Sequence, residues 1–171
     1  MELRKFIERT AATGILGVKI TQNGEDMGKH LWDEECRRNI YSASKSFTSA
    51  AVGIAVKEGL LRLEERLVDA FSEDIPENPN EFLQQATVRD LLTMCLGQQN
   101  AELMGGQRPF YQQKDWVRMS LAFPFTECPG KRFLYNNVGP YLAGILVQRR
   151  AGCDLVSYLT CLLYTSDAAD E

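Results

Sequence analysis

Near the N-terminus the apolar residues recur at helical spacing. Leu3, Phe6 and Ile7 would share one side of a helix over residues 3–12, and Gly14 punctuates it. Residues 15–21 then switch to β-branched side chains in partial alternation, which predicts a strand. Asn23-Gly24 follows, the strongest short signal for a two-residue hairpin turn. A weaker strand over residues 26–32 is therefore expected to return alongside the first. Residues 33–39 form a charged connection.

The next pattern is different. Residues 42–58 contain no proline and one glycine, and they are rich in Ala and Ser. They predict a helix whose small surface lets it pack closely inside a larger body, with Gly59 as its C-terminal stop. Leu60, Leu61, Leu63 and Leu67 make a short apolar stretch. Pro76, Asn78, Pro79 and Asn80 mark a loop. Thr87 followed by Asp90 three residues on has the form of a capping box, so a short helix is expected over residues 88–94. Residues 98–113 are polar and read as a long surface loop. Residues 115–122 and 137–152 read as helices, with Tyr141, Leu142 and Ile145 available to a core. No internal repeat or low-complexity tract is visible.

Composition narrows the picture. The chain has 171 residues, 44% hydrophobic and 25% charged, which suits one soluble globular domain. The formal charge is −4, too acidic for a general nucleic-acid surface or a polybasic membrane patch. No run of about 18 apolar residues is present. The five cysteines (Cys36, Cys95, Cys128, Cys153 and Cys161) form no C-x-x-C pair, and His30 is the single histidine. These facts argue against a zinc site, a disulfide framework and a Ser-His-Asp triad. No metal or cofactor is expected. Scattered cysteines and the lack of a convincing signal peptide favour a cytoplasmic location.

One candidate for chemistry stands out. Ser42-Ala43-Ser44-Lys45 is an S-x-x-K tetrad at the start of the long helix. Residues i and i+3 lie on one helical face, so the Lys45 amine can reach the Ser42 hydroxyl. A serine needs a base to become a good nucleophile, and a lysine serves if it is partly neutral near pH 7. About one such tetrad is expected by chance in a chain this long, so context decides. Downstream, Tyr135-Asn136-Asn137 opens the second long helix. A tyrosine hydroxyl beside a lysine can carry a proton, and an asparagine amide can hold a substrate carbonyl. Alone, Tyr135 would be a core aromatic and Asn137 a helix cap.

Together, these segments resemble the β-lactamase-related serine hydrolases, which include class C β-lactamases, D,D-peptidases and esterases. Residues 40–48 are similar to that family's nucleophile helix, and residues 57–63 to its E-G-x-L-x-L exit. Residues 87–94 are similar to its T-I-R-x-L-L-T-H helix, and residues 129–137 to its P-G-x-x-F-x-Y-S-N segment. The four matches occur in the family's order. The resemblance implies Ser42 as the acylated nucleophile, Lys45 as its base and Tyr135 as the proton carrier to the leaving group. Asn137 would orient the substrate amide or the lysine. Asn136 stands where the family often has Ser, and Met94-Cys95-Leu96-Gly97 departs from its H-T-S-G.

A third family motif, K-T-G or H-x-G on a late strand, has no counterpart here, since no Lys or His follows Tyr135. That strand carries half of the family's oxyanion hole. The implied fold is therefore α+β of the β-lactamase/transpeptidase type, truncated: a helical cluster plus an N-terminal β-hairpin, lacking the C-terminal sheet strands. Residues 1–160 would be the N-terminal part of the hydrolase domain. Residues 161–171, Cys161 to Glu171, resemble a translated sequencing-adapter read-through. Without that tail the charge is 19 − 20 = −1, because Asp167, Asp170 and Glu171 go.

The implied activity is acyl transfer on an amide, β-lactam or ester, with a small-molecule or peptide substrate, no nucleic-acid partner and no membrane segment. The chain as it stands is expected to be an inactive fragment, with Phe47, Val52 and Ile54 at risk of exposure. A second reading is a penicillin-binding-type sensor that is acylated without turnover, and persistence of a Ser42 adduct would separate it from the first. A third, a small interaction domain with accidental motifs, sits poorly with four ordered matches. Fold does not fix substrate, and the oligomeric state is not legible.

Overall fold

Asn23 and Gly24 both take positive φ, 52° and 84°, which gives the tight primed turn whose twist matches a hairpin. The computed structural model describes residues 3–164. It divides into two units, Met1–Ile40 and the chain from Tyr41 onward. In the first, helix α1 (Arg4–Thr10) precedes strands β1 (Gly17–Gln22) and β2 (Glu25–Leu31). The strands are antiparallel, with Val18 opposite His30 and Ile20 opposite Gly28, and a bulge at Ile20/Thr21. The Leu3 side chain sits against Gly28, and the Phe6 ring lies 6.3 Å from that of Trp32, so α1 covers part of the hairpin.

The second unit is helical. A 3-10 turn (Tyr41–Ala43) leads into α2 (Ser44–Lys57), followed by α3 (Leu67–Ala70), α4 (Glu81–Gln85), α5 (Val88–Thr93), α6 (Trp116–Ala122), α7 (Val138–Ala151) and α8 (Leu155–Tyr164). α2 ends as its sequence requires. Gly59 takes φ +75°, its N–H bonds the Val56 carbonyl, and the Leu60 N–H bonds the Ala55 carbonyl. That is a Schellman closure, which satisfies two carbonyls the helix would leave orphaned. At the start of α5 the Asp90 carboxylate accepts from the Thr87 N–H at 2.9 Å and its hydroxyl at 2.7 Å, the expected acidic cap.

The core forms where α7 crosses α2 and α5. Ala51, Val52 and Ala55 of α2 meet a centre built from Leu142, Ala143, Leu146 and Val147 of α7 with Val88 and Leu91 of α5. Close approach depends on Gly139, because a Cβ there would overlap the Leu91 carbonyl oxygen. At the rim Asp74 pairs with Arg149 at 2.5 Å, and the Arg149 guanidinium lies 5.5 Å from the Phe71 ring centroid.

Some expectations change. α3 and α4 form where no helix was expected: α3 starts at Leu67, the last residue of the apolar stretch, and α4 directly follows the loop residues Pro76 to Asn80. Val52, expected at risk, is buried at 1% exposure, because α7 covers it; Phe47 is exposed. Residues 98–113 do form a loop with a 3-10 turn at Arg108–Phe110, but Gln98 and Leu103 are buried within it. Helix α8 includes residues 161–164 of the stretch read as a foreign tail, which does not bear on their origin, and residues 165–171 lie outside the described residues. No described helix is long and apolar enough to cross a membrane. Among the described residues no three metal-ligating side chains cluster, and the five cysteines are free.

Candidate active site

Ser42 lies in the 3-10 turn, ahead of the α-helical segment expected to hold it. Lys45 follows three residues on, in the first turn of α2, so the two side chains emerge on one face of the chain as it passes into the α-helix. Lys45 Nζ donates to Ser42 Oγ at 3.0 Å as a result. Tyr41, immediately before, has φ 45°, a left-handed conformation that costs a non-glycine residue about 1–3 kcal/mol. The strain sits next to the serine, where such outliers tend to be functional.

The second contact comes from far along the chain. Tyr135 Oη donates to Ser42 Oγ at 2.7 Å, and Lys45 Nζ lies 5.1 Å from the centroid of the Tyr135 ring. The serine hydroxyl, the amine and the phenol thus form one cluster. The Ser42 hydroxyl and then Lys45 stabilise the phenolate form, which holds Tyr135 below the ordinary tyrosine pKa of 10. A phenol so placed exchanges protons more readily than a free tyrosine. Ser42 and Tyr135 are solvent-exposed and Lys45 is half-buried.

The start of α7 positions Tyr135. Asn136, nearly fully buried, accepts from the Gly139 N–H at 3.0 Å and donates to the Leu134 carbonyl at 2.7 Å. The residue read as a mild family departure is thus the one whose side chain caps the helix. Asn137 does something else. Its Nδ2 donates to the Leu103 carbonyl at 2.9 Å and approaches Met104 Sδ at 3.8 Å, and its N–H bonds the Glu102 carbonyl at 3.1 Å. None of its hydrogen bonds reaches Ser42, Lys45 or Tyr135. The sequence therefore marks three residues that converge and a fourth tied to the loop beside them. Tyr41 and Leu103 went unmarked, because positive φ at a tyrosine or leucine leaves no local sequence signal.

A second conformational requirement sits behind the site. Gly97 takes φ +78° where a Cβ would overlap the Glu127 carbonyl oxygen, and the Thr126 N–H bonds the Gly97 carbonyl at 2.8 Å. This lashes the segment after α5 to the one leading into Pro129-Gly130. The Leu134 N–H then bonds the Met94 carbonyl at 2.9 Å, which fixes the approach to Tyr135.

Comparison with known proteins gives a consistent result. No curated protein sequence matches significantly. Among solved structures, a protein from Bacteroides dorei DSM 17855 superposes with a TM-score of 0.74 at 18% identity, over 94% of this chain and 49% of that one. The octameric penicillin-binding protein homologue from Pyrococcus abyssi gives 0.70 at 22%, over 94% and 42%. The D-amino acid amidase from Ochrobactrum anthropi SV3, complexed with D-phenylalanine, gives 0.70 at 21%, over 95% and 48%. The chain spans about half the length of these structures, which show that it shares their fold, here as eight helices and a two-stranded hairpin among the described residues. The family model described as Beta-lactamase matches residues 3–164, and the chain belongs to the β-lactamase family.

Proposed function

We propose that this chain carries the nucleophile centre of a serine hydrolase that works through an acyl-enzyme on an amide, β-lactam or ester. The observation that carries the proposal is the double contact on one oxygen: Ser42 Oγ receives Lys45 Nζ at 3.0 Å and Tyr135 Oη at 2.7 Å. In this reading Lys45 takes the serine proton as Ser42 Oγ bonds the acyl carbon. Tyr135 gives its proton to the departing nitrogen or oxygen and is reprotonated through Lys45. The covalent step leaves an ester on Ser42 and releases the protonated leaving group. Asn137 helps to orient the substrate. The whole protein would take a small acyl compound or peptide. A cytoplasmic location belongs to the same proposal, supported by the sequence alone.

The proposal includes slow turnover by the 171-residue chain. Ser42 is exposed and Tyr135 is 40% exposed, so charge developing on the acyl oxygen stays in contact with water. Donors act far more weakly there than in a closed, low-dielectric site. The test is covalent labelling with a fluorescent penicillin, which leaves a carboxylic ester on the serine that water can cleave. Label that depends on Ser42 and decays over hours supports a hydrolase. Equal labelling of the Ser42→Ala chain refutes the assignment.

A further inference from the structure

Tyr135 reaches Ser42 from an exposed position outside the buried core, so the backbone of residues 134–137 has to hold it there. Three ties fix that stretch. The Leu134 N–H bonds the Met94 carbonyl at the end of α5, and Asn136 is buried in the cap of α7. The third tie runs to the loop of residues 98–113. The Asn137 N–H bonds the Glu102 carbonyl at 3.1 Å, and its Nδ2 donates to the Leu103 carbonyl at 2.9 Å. Two adjacent loop residues thus grip Asn137 twice. Leu103 does so from a left-handed backbone, φ 58°, with its side chain buried. Such a conformation persists only where the surroundings over-determine it.

One phenol supplies that constraint. Tyr111 Oη donates to the Glu102 carboxylate at 2.7 Å, accepts the Leu103 N–H at 3.2 Å and has Gln107 Oε1 as its next acceptor at 3.3 Å. It therefore holds the same two residues whose carbonyls hold Asn137. Burial, and then the bond to Glu102, raise its pKa above the ordinary 10, so the hydroxyl remains a donor near neutral pH. The ring is itself anchored, with the rings of Trp116 in α6 and of Phe123 each 6.2 Å away. Gln107 knits the turn between, taking the Met104 N–H at 2.8 Å and giving to the Ala101 carbonyl at 3.0 Å. Contacts thus run without a break from α6 through Tyr111, residues 102–103 and Asn137 to the backbone that carries Tyr135. Tyr111 itself makes no hydrogen bond to Ser42, Lys45 or Tyr135.

We propose that Tyr111 is a positioning residue for acyl transfer: acting through Glu102, Leu103 and Asn137, its hydroxyl holds Tyr135 at Ser42. The catalytic consequence rests on the reading of Tyr135 as proton carrier; the positioning itself is separable. The first experiment is a double-mutant cycle on the 171-residue chain, read as the rate of Ser42 labelling by a fluorescent penicillin. Tyr111→Phe keeps the ring and removes the hydroxyl. It should slow labelling ~10–10²-fold, the scale of a misplacement of up to about 1 Å, and should slow the Tyr135→Phe chain no further. An unchanged rate, or the same loss in both backgrounds, overturns the proposal. Glu102 gives a route that leaves the phenol in place, should Tyr111→Phe not fold. Glu102→Gln keeps an oxygen acceptor for the hydroxyl and should label near the wild-type rate, whereas Glu102→Ala should behave as Tyr111→Phe. Equal rates in the two Glu102 variants contradict the role. The second experiment reads position without chemistry. The Tyr135 titration, taken as the absorbance difference between each chain and its Tyr135→Phe counterpart, should move up toward 10 in Tyr111→Phe as the phenol leaves Ser42 and Lys45. A midpoint that stays where it was overturns the proposal. If the wild-type chain is not labelled at all, the nucleophile reading fails, and the titration still decides Tyr111.

Discussion

Tyr135 Oη lies 2.7 Å from Ser42 Oγ, across 93 residues of chain. Neither residue reaches the other through local structure. Ser42 is presented by a 3-10 turn behind a strained Tyr41, and Tyr135 by the capped entry to α7. Packing of α7 on α2 is what brings the two together.

If Lys45 and Tyr135 share the proton work, removing either should slow chemistry without unfolding the protein. Lys45→Ala is expected to reduce the rate of Ser42 labelling by ~10²–10⁴-fold, the usual size of a general-base contribution. Tyr135→Phe keeps the ring and should also slow it. Neither side chain belongs to the buried core, so thermal melting should move little. Rates near wild type in both variants would remove the proton-transfer roles.

The pH dependence follows from Tyr135. Its pKa is held below 10 by the Ser42 hydroxyl and then by Lys45. The phenolate should therefore appear at lower pH than in a free tyrosine. The absorbance difference between wild type and Tyr135→Phe isolates this one titration. Its midpoint should lie below 10 and move back up in Lys45→Met, with the alkaline limb of labelling moving in the same direction. A midpoint that ignores Lys45→Met would count against the cluster.

Two glycines should respond oppositely to alanine. Gly139→Ala drives a Cβ into the Leu91 carbonyl at the α5–α7 crossing, and overpacking of this kind costs about 1–3 kcal/mol. Gly53 lies inside α2, and a methyl added there would meet no neighbouring atom within 4 Å. Gly53→Ala should therefore stabilise by about 0.5–1 kcal/mol through helix propensity. Urea unfolding measures both. Equal effects would mean the crossing is looser than described.

Tyr158 supplies a stability signal away from the site. Burial, and then the Glu58 carboxylate that accepts its hydroxyl at 2.6 Å, push its pKa up to about 12. The folded state thus favours the protonated phenol. Its contribution should be complete below the unfolded value near 10 and be lost as pH rises toward 12. Tyr158→Phe should cost about 1 kcal/mol at pH 7, a typical hydrogen-bond contribution. That deficit should shrink between pH 10 and 12 in thermal melts. A deficit independent of pH would exclude the hydrogen bond as its source.

Much of this was legible in the residues themselves. Asn23-Gly24 states its turn, Thr87 and Asp90 state a cap, and Ser42 and Lys45 state their own proximity. Such signals are local, and the structure returns them within a residue or two. The short helices α3 and α4 were not legible. Four or five residues carry too little periodicity, and their ends are fixed at a distance. The Leu67 N–H bonds the Ala86 carbonyl at 2.8 Å, and the Asn80 amide, whose oxygen caps α4, bonds the Phe125 carbonyl at 2.7 Å. The tie between Asn137 and Leu103 was hidden for the same reason. It spans 34 residues and depends on a backbone conformation that leucine rarely adopts.

The most direct measurement is to treat the 171-residue chain with a fluorescent penicillin or fluorophosphonate and map the adduct by peptide mass spectrometry. The expected result is one adduct on Ser42, formed more slowly in Lys45→Ala and in Tyr135→Phe. An adduct on Ser44 or Ser46, or one on Ser42 that forms equally fast without Lys45 and Tyr135, would contradict the account.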